Sequence, residues 1–365
     1  MSIVSKAAAI GGGVIGAGWV ARLLLNGIDV SIYDPDPEAS RKVSEVMKGA
    51  RRAYKQMVPG GLPKEGKLTF AKTIAEAVHD VDFIQESVPE RLDLKHRVLA
   101  EIDLHAPANA IVGSSTSGIK PTDMQVAMKK HPERLVVGHP FNPVYLLPLV
   151  EIVGGEQTFP EAIEVAKEIY ASIGMKPVVI RKEIEAFVGD RLLEAAWREA
   201  LWLIKDGICT VEELDDIMRY SFGLRWAQMG MFQVYRVAGG EAGMRHFMAQ
   251  FGPCLKWPWT KLMDVPEFND ELVDLIATQS DDQSDKWSIR ELEKIRDDNL
   301  VAIMEALSKQ NKGKGWGAGE LHNDYTKQLA KLAAKKPKAS KSAEKAKATK
   351  AVKAKAEKPK KKKKG

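Results

Sequence analysis

Cysteine is scarce in this chain. Of its 365 residues only Cys209 and Cys254 carry a thiol, too few for a disulfide framework and without a neighbouring set of metal ligands. Neither a stapled secreted scaffold nor a metal site is expected. Long apolar runs are missing as well: no stretch of 18 or more apolar residues occurs, so nothing is expected to span a membrane. The opening Met1-Ser2-Ile3-Val4-Ser5-Lys6 runs into a strand pattern without the regions of a signal peptide, and a soluble cytoplasmic protein is the expectation. Internal repeats with a period of about 20–50 residues are not seen. Hydrophobic residues make up 44% and charged residues 28%, a balance that excludes wholesale disorder and fibrous architectures.

The net charge of +6 is the sum of two unlike parts. Residues 331–365 hold 16 lysines and two glutamates, a net of +14, which leaves the other 330 residues at −8. A mildly acidic body therefore carries a basic Lys/Ala-rich tail. That tail cannot bury enough apolar surface to offset the entropy of ordering, and disorder is expected over 331–365.

From Lys6 to about Lys182 short β-branched runs alternate with helical patterns, the sign of βαβ units around a parallel sheet. Strands are predicted at Ala7–Ile10, Val30–Tyr33, Asp82–Gln85, Ala110–Gly113, Leu135–Gly138, Leu149–Val153 and Pro177–Arg181, with helices such as Glu90–Asp103 and Pro160–Ile173 between them. After Glu183 the period lengthens. Amphipathic stretches at Phe187–Ile204, Val211–Met218 and Glu291–Leu307 predict an all-α domain, and seven of the eight tryptophans lie from Trp197 onward, which predicts an aromatic-rich core there. The fold class is α/β: a Rossmann-type parallel-sheet domain over 1–182, a helical domain over 183–320 and the tail.

The first strand leads into Gly11-Gly12-Gly13-Val14-Ile15-Gly16, a G-x-G-x-x-G, and then a helical run from Ala17 to Asn26. Gly11 allows the tight turn, Gly13 lets backbone approach a pyrophosphate, and Gly16 lets helix pack on strand. The helix N-terminus offers free N–H groups to phosphate. Asp34 ends the second strand 23 residues after Gly11, where a carboxylate bonds both ribose hydroxyls. Its charge repels a 2′-phosphate, so NAD is expected rather than NADP. A plain strand-to-helix turn is the bland alternative.

Gly138-His139-Pro140-Phe141-Asn142-Pro143 leaves a later strand end, with Val150-Glu151-Ile152 close behind. A His at the carboxyl edge of an α/β sheet stands where ligands bind, and a Glu on a nearby strand can orient its imidazole. Oxidising an alcohol needs a base for the hydroxyl proton and an acceptor for the hydride; His139 and NAD would supply them. A satisfied structural histidine is the competing reading.

Gly11 to Gly16, Glu86-Ser87-Val88-Pro89-Glu90 with Lys95, Ser115-Thr116-Ser117, His139-Pro140-Phe141-Asn142-Pro143 and Leu149-Val150-Glu151 resemble, in order and spacing, the 3-hydroxyacyl-CoA dehydrogenase superfamily over about residues 5–310. The resemblance implies His139 as base, Glu151 as its orienting partner and Ser117 as hydrogen-bond donor to the reacting oxygen. It implies Glu90, Lys95 and Asn142 near the nicotinamide end of the cofactor, and a homodimer formed through the helical domains. Two features depart from the acyl-CoA enzymes. Their G-F-x-x-N-R-L pattern reads here Ala186-Phe187-Val188-Gly189-Asp190-Arg191-Leu192, with Asp190 in place of Asn. Phe222-Gly223-Leu224-Arg225-Trp226-Ala227, Gly240-Glu241-Ala242-Gly243-Met244-Arg245-His246-Phe247 and Lys256-Trp257-Pro258-Trp259 are similar to the branch of that superfamily that oxidises L-carnitine.

Carnitine is a 3-hydroxy acid bearing a permanent trimethylammonium, a group held on aromatic faces worth about 0.5–2 kcal/mol each. Phe141, Phe251, Trp226 and Trp257 are the aromatic candidates, each with a core role as the alternative. Asp190 would face the cation. Arg191 or Arg225 could take the substrate carboxylate, or pair structural carboxylates. The rival substrates are a 3-hydroxyacyl-CoA or a sugar acid. A rival of another class is a non-catalytic NAD-binding protein whose tail associates with nucleic acid. The tail lacks interleaved aromatics, so weak, salt-sensitive polyanion binding is its expected property.

Overall fold

The computed structural model describes residues 3–334 apart from 59, 228–229, 239–242, 252–256, 262–268, 273, 276–285 and 287. Cys254, Lys256, the Gly240-Glu241-Ala242 segment and tail residues 335–365 lie outside the described residues.

The first half is an eight-stranded sheet in the order β3-β2-β1-β4-β5-β6-β7-β8. Its strands are β1 (Lys6–Ile10), β2 (Asp29–Tyr33), β3 (Leu68–Phe70), β4 (Phe83–Glu86), β5 (Ile111–Ser114), β6 (Leu135–Pro140), β7 (Leu149–Gly154) and β8 (Lys176–Ile180). The helices α1 (Val14–Leu25), α2 (Ala39–Met57), α3 (Ile74–Val78), α4 (Leu92–His105), α5 (Pro121–Gln125) and α6 (Pro160–Ser172) follow in the same order along the chain. The central strands β1, β4, β5 and β6 are almost wholly buried, because helices cover both sheet faces and both sets of alternating side chains must be apolar. One core lies under α1, α2 and α6, the other under α3, α4 and α5.

Two details differ from the sequence expectation. β3 was not predicted: it is a three-residue edge strand, partly exposed, and too short to carry a periodic signal. The sheet is also not purely parallel, since β6 and β7 pair antiparallel. The chain between them, residues 141–148, is shorter than the roughly dozen residues a parallel crossover needs.

Beyond the sheet come α7 (Gly189–Lys205), α8 (Val211–Tyr220), α9 (Phe222–Trp226), α10 (Met231–Ala238) and α11 (Gly243–Phe251). These are followed by α12 (Ile289–Ser308) and α13 (Ala318–Ala334). The expected aromatic core of this half is not formed by the described residues of one chain: Trp197, Trp226, Trp257, Trp259 and Trp316 are all exposed. The last two helices instead return to the first domain. Val301, Met304, Tyr325 and Leu329 join the core beneath α1 and α2. The Tyr325 hydroxyl accepts from Asn26 Nδ2 at 2.7 Å and is hydrogen-bonded to the Tyr54 hydroxyl at 2.8 Å. Tyr145 donates to buried Asp297 at 2.7 Å, and Arg52 and Gln56 of α2 bond Asp298. Because α13 is anchored in this way it continues through Lys331 to Ala334, so residues 331–334, expected to be disordered, are helical.

Candidate active site

The carboxyl edge of β1 turns at Gly11, whose φ of +102° belongs to glycine and whose added Cβ would lie 2.6 Å from the Ser87 carbonyl oxygen. A Cβ on Gly16 would meet the Gly11 oxygen at 1.9 Å, which is the close strand-to-helix packing expected there. Gly13 faces open space and caps α1 with no side chain on its free N–H groups. These two facts describe a cradle that backbone alone can offer to a pyrophosphate. The Gly12 N–H donates to Asp34 Oδ2 at 2.5 Å and the Asp36 N–H to Asp34 Oδ1 at 2.7 Å. Asp34 is thus fixed at the end of β2. A cleft of about 720 Å³ runs from Asp34 past Gly13, Val14 and Ile15 to Glu90 and Ser117, a size that suits a dinucleotide.

The Ser117 end of this cleft is built by Glu90. Its Oε1 accepts from the Thr116 hydroxyl and from the Ser117 and Gly118 N–H groups, the last two at 3.1 Å. Lys95 stands behind it. Its ammonium is fully buried, bonds Glu86 at 2.9 and 3.1 Å, and approaches Glu90 to 3.6 Å. Lys95 therefore braces the floor and does not line the cleft, whereas Glu90 does.

His139 and Glu151 are direct partners across the β6–β7 pairing. His139 Nδ1 lies 2.9 Å from Glu151 Oε2, with both side chains 3–4% exposed. The other oxygen of Glu151 accepts from the Val188 and Gly189 N–H groups at 3.2 and 3.0 Å, at the start of α7. Burial pushes the Glu151 carboxyl up, but the His139 hydrogen bond and these two N–H groups outweigh it and hold it below its usual range. With Nδ1 engaged by this carboxylate, Nε2 is the ring nitrogen left for a proton transfer.

Asp190 is next in α7. Its Oδ2 lies 3.5 Å from His139 Nε2, too long for a hydrogen bond but next to the ring nitrogen that Glu151 does not engage. Burial is the main force raising its carboxyl above the ordinary value; Glu151, Glu194 and Glu90 add to it and His139 opposes it. Phe141 stacks tilted at 4.9 Å from His139 and lies over Gly189, where a Cβ would come within 2.3 Å of its ring. Phe187, fully buried, contacts the imidazole from beneath at 5.6 Å.

His139, Glu151, Phe141 and Asp190 form one cluster, and Gly11, Gly13, Val14, Ile15, Asp34, Glu90 and Ser117 line the adjoining cleft. Gly12 and Gly16 hold its walls. Asn142 is exposed beside Val14 at the mouth of a second, smaller cavity with Arg52 and Asp297. Among the described residues Trp226 and Phe251 make their ring contacts elsewhere, with Phe222 and Phe247, and Trp257 contacts Trp259. The side chains of Arg191 and Arg225 are exposed. Sequence reasoning did not single out Thr116, Glu86 or the Val188 and Gly189 N–H groups. Thr116 sat in plain view beside the candidate Ser117, whereas backbone donors carry no side-chain signature.

Residues 6–184 match the family model described as 3-hydroxyacyl-CoA dehydrogenase, NAD binding domain, and residues 187–266 match 3-hydroxyacyl-CoA dehydrogenase, C-terminal domain. The chain is 96% identical to an L-carnitine dehydrogenase of Mesorhizobium japonicum over 92% of its own length and 93% of that protein. It is 64% identical to an L-carnitine dehydrogenase/betainyl-CoA thioesterase of Rhizobium meliloti over 90% of its length, covering 66% of that longer protein. Among solved structures, a 5-formyl-3-hydroxy-2-methylpyridine 4-carboxylic acid 5-dehydrogenase, an NAD+-dependent dismutase, superposes with a TM-score of 0.69 at 28% identity, over 85% of this chain and 100% of that one.

Proposed function

The chain belongs to the 3-hydroxyacyl-CoA dehydrogenase family, and from that premise we propose that it is an NAD-dependent oxidoreductase that converts L-carnitine to 3-dehydrocarnitine. The observation that carries this reading is the 96% identity to an L-carnitine dehydrogenase along nearly the whole chain. The site supports it chemically. Asp190 sets a carboxylate where the acyl-CoA enzymes have a neutral Asn, at 3.5 Å from the reacting nitrogen of His139, and a fixed cation on the substrate repays its burial.

In the mechanism His139 Nε2 takes the hydroxyl proton while the C3 hydride leaves. Gly11–Gly16 and Asp34 would hold NAD, with Glu90 and Asn142 toward its nicotinamide end, and the cofactor would supply the hydride acceptor. Glu151 holds Nδ1–H, fixing the tautomer and the ring plane, and stabilises the imidazolium that forms. Ser117 hydrogen-bonds the reacting oxygen. Phe141 offers one aromatic face to the trimethylammonium and Asp190 its counter-charge; Trp226 and Phe251 are further candidates for that cage. Because oxidation releases a proton, it runs better at alkaline pH.

The helical domains support a homodimer, because α7 is amphipathic yet buries only Ile204. Dependence on a soluble NAD pool suits a cytoplasmic enzyme, and no helix among the described residues is long and apolar enough to cross a membrane. The Lys-rich tail is assigned weak, salt-sensitive attraction to polyanions and no part in the chemistry.

NADH formation at 340 nm with L-carnitine and with 3-hydroxybutyrate tests the reaction. Turnover of carnitine alone is expected. Equal turnover of both would remove the cation from recognition, and turnover of neither would move the substrate to a CoA thioester or a sugar acid.

A further inference from the structure

The helix that carries Asp190 leaves the adjacent part of the same face uncovered. Asp190, Leu193 and Trp197 are spaced by three and then four residues, so they form one stripe along α7. Leu193 and Trp197 are 56% and 51% exposed. Any body that packs on Leu193 and Trp197 must also close over the open side of Asp190, one turn away. Resting on the homodimer proposed above, we infer that this body is a second copy of the chain, and that the pocket for the substrate's cation is completed only by the partner subunit.

Three observations point to a second copy. The stripe is self-complementary: the small Ala196 and Ala200 flank Trp197, so two α7 helices crossing antiparallel about a two-fold axis set the Trp197 of each against the alanines of the other. Glu194 and Arg198, which pair at 3.7 Å within one helix, flank this stripe, and the same register would set each beside its opposite charge in the second copy. The amount of surface also fits. Leu192, Ile208, Tyr220, Leu224 and Phe232 of α7–α10 and their linkers are 58–76% exposed. At ~100 Å² for a half-exposed large side chain, these and the stripe approach the ~800 Å² per partner of a stable interface.

The site itself asks for such a roof. Phe141 is the accessible ring in contact with His139 among the described residues, since Phe187 is fully buried. A trimethylammonium held by one ring and one carboxylate stays open to water, which weakens both contacts. In the antiparallel arrangement α7, about 25 Å long, places the far end of the partner's helix next to Gly189 and Asp190. The partner thereby dries the cation pocket without touching the cofactor cleft.

The test uses Trp197→Glu and Trp197→Lys in the full-length chain. Each alone is expected to sediment as a monomer, to bind NADH within 2-fold of the parent and to lose at least 100-fold in kcat/KM for L-carnitine. An equimolar mixture, with opposite charges meeting at the axis, is expected to recover dimer and at least 10-fold of the lost turnover. A monomeric Trp197→Glu that oxidises carnitine within 3-fold of the parent overturns the shared site but leaves the dimer. A variant that stays dimeric and active overturns the pairing face instead. Should either variant fail to bind NADH, dilution of the unaltered enzyme decides: specific activity must fall with the dimer fraction, and constant activity through dissociation overturns the proposal.

Discussion

His139 and Glu151 stand opposite each other on antiparallel strands, Nδ1 2.9 Å from Oε2, and a switch of strand direction within an otherwise parallel α/β sheet is what brings them together. A parallel β7 would have carried Glu151 away through a crossover. Replacing His139 with Gln should lower kcat on carnitine by about 10²–10⁴-fold with NADH affinity unchanged. Glu151→Gln should lower it less. Because the two act as one unit, the double variant should be no slower than His139→Gln alone; additive losses would show that they act separately.

With Asp190 as the proposed counter-charge of the substrate cation, substrate affinity should depend on pH. Its carboxyl is held above the ordinary value, first by burial and then by the fields of Glu151, Glu194 and Glu90. In the free enzyme it therefore ionises at a higher pH than an exposed aspartate, and the charged form is the one that attracts the cation. KM for carnitine should fall as pH rises through that ionisation and then level off. Asp190→Asn should raise KM by about 10–100-fold, or about 1.4–2.8 kcal/mol, and abolish this limb. A KM profile unchanged by the substitution would remove Asp190 from cation recognition.

Asp34, which two backbone N–H groups hold at the end of β2, is the residue proposed to select NAD. Asp34→Ser loses charged hydrogen bonds worth about 1.5–3 kcal/mol, so KM for NAD should rise by about 10–100-fold. The relative use of NADP should increase. Unchanged discrimination between the two cofactors would place the ribose elsewhere.

The junction of α2 with α12 should weaken in acid. Burial pushes the Asp298 carboxyl up, but bonds from Arg52, Lys294 and Gln56 outweigh it and hold it at about 2, below its ordinary 3.8. A depressed carboxylate contributes stability that is complete above the ordinary value and is lost as pH falls from there toward 2. With both side chains about a third exposed, solvent screening leaves a contribution of about 1 kcal/mol. Asp298→Asn should therefore lower Tm at pH 7, and the gap from the parent should close between pH 4 and pH 2. A gap constant across that range would show that the ion pair is not its source.

Much of this was legible beforehand. The glycines, Asp34 and the His139–Glu151 pair are local chemistry, where residue type and spacing carry the physics. Strand positions in the sheet centre were legible because burial on both faces leaves apolar runs. What escaped notice depends on distant partners. β3 exists only because β2 offers it an edge. Lys95 is drawn under the floor by Glu86, nine positions earlier. The aromatics after Trp197 read as a core because large apolar side chains normally are one, yet in one chain they face outward. The return of α12 and α13 to the first domain rests on Tyr325 reaching Asn26 and Tyr54, contacts that no local pattern encodes.

That last contact also bears on how the protein is born. Asn26 and Tyr325 are 299 positions apart, and Tyr325 and Leu329 fill the core under α1. While the chain is being synthesised, the nucleotide-binding half emerges with that flank bare and cannot be sealed until Tyr325 and Leu329 have followed. The cleft and the His139–Glu151 pair are thus assembled on a domain whose last wall is made some 299 positions after the helix it covers.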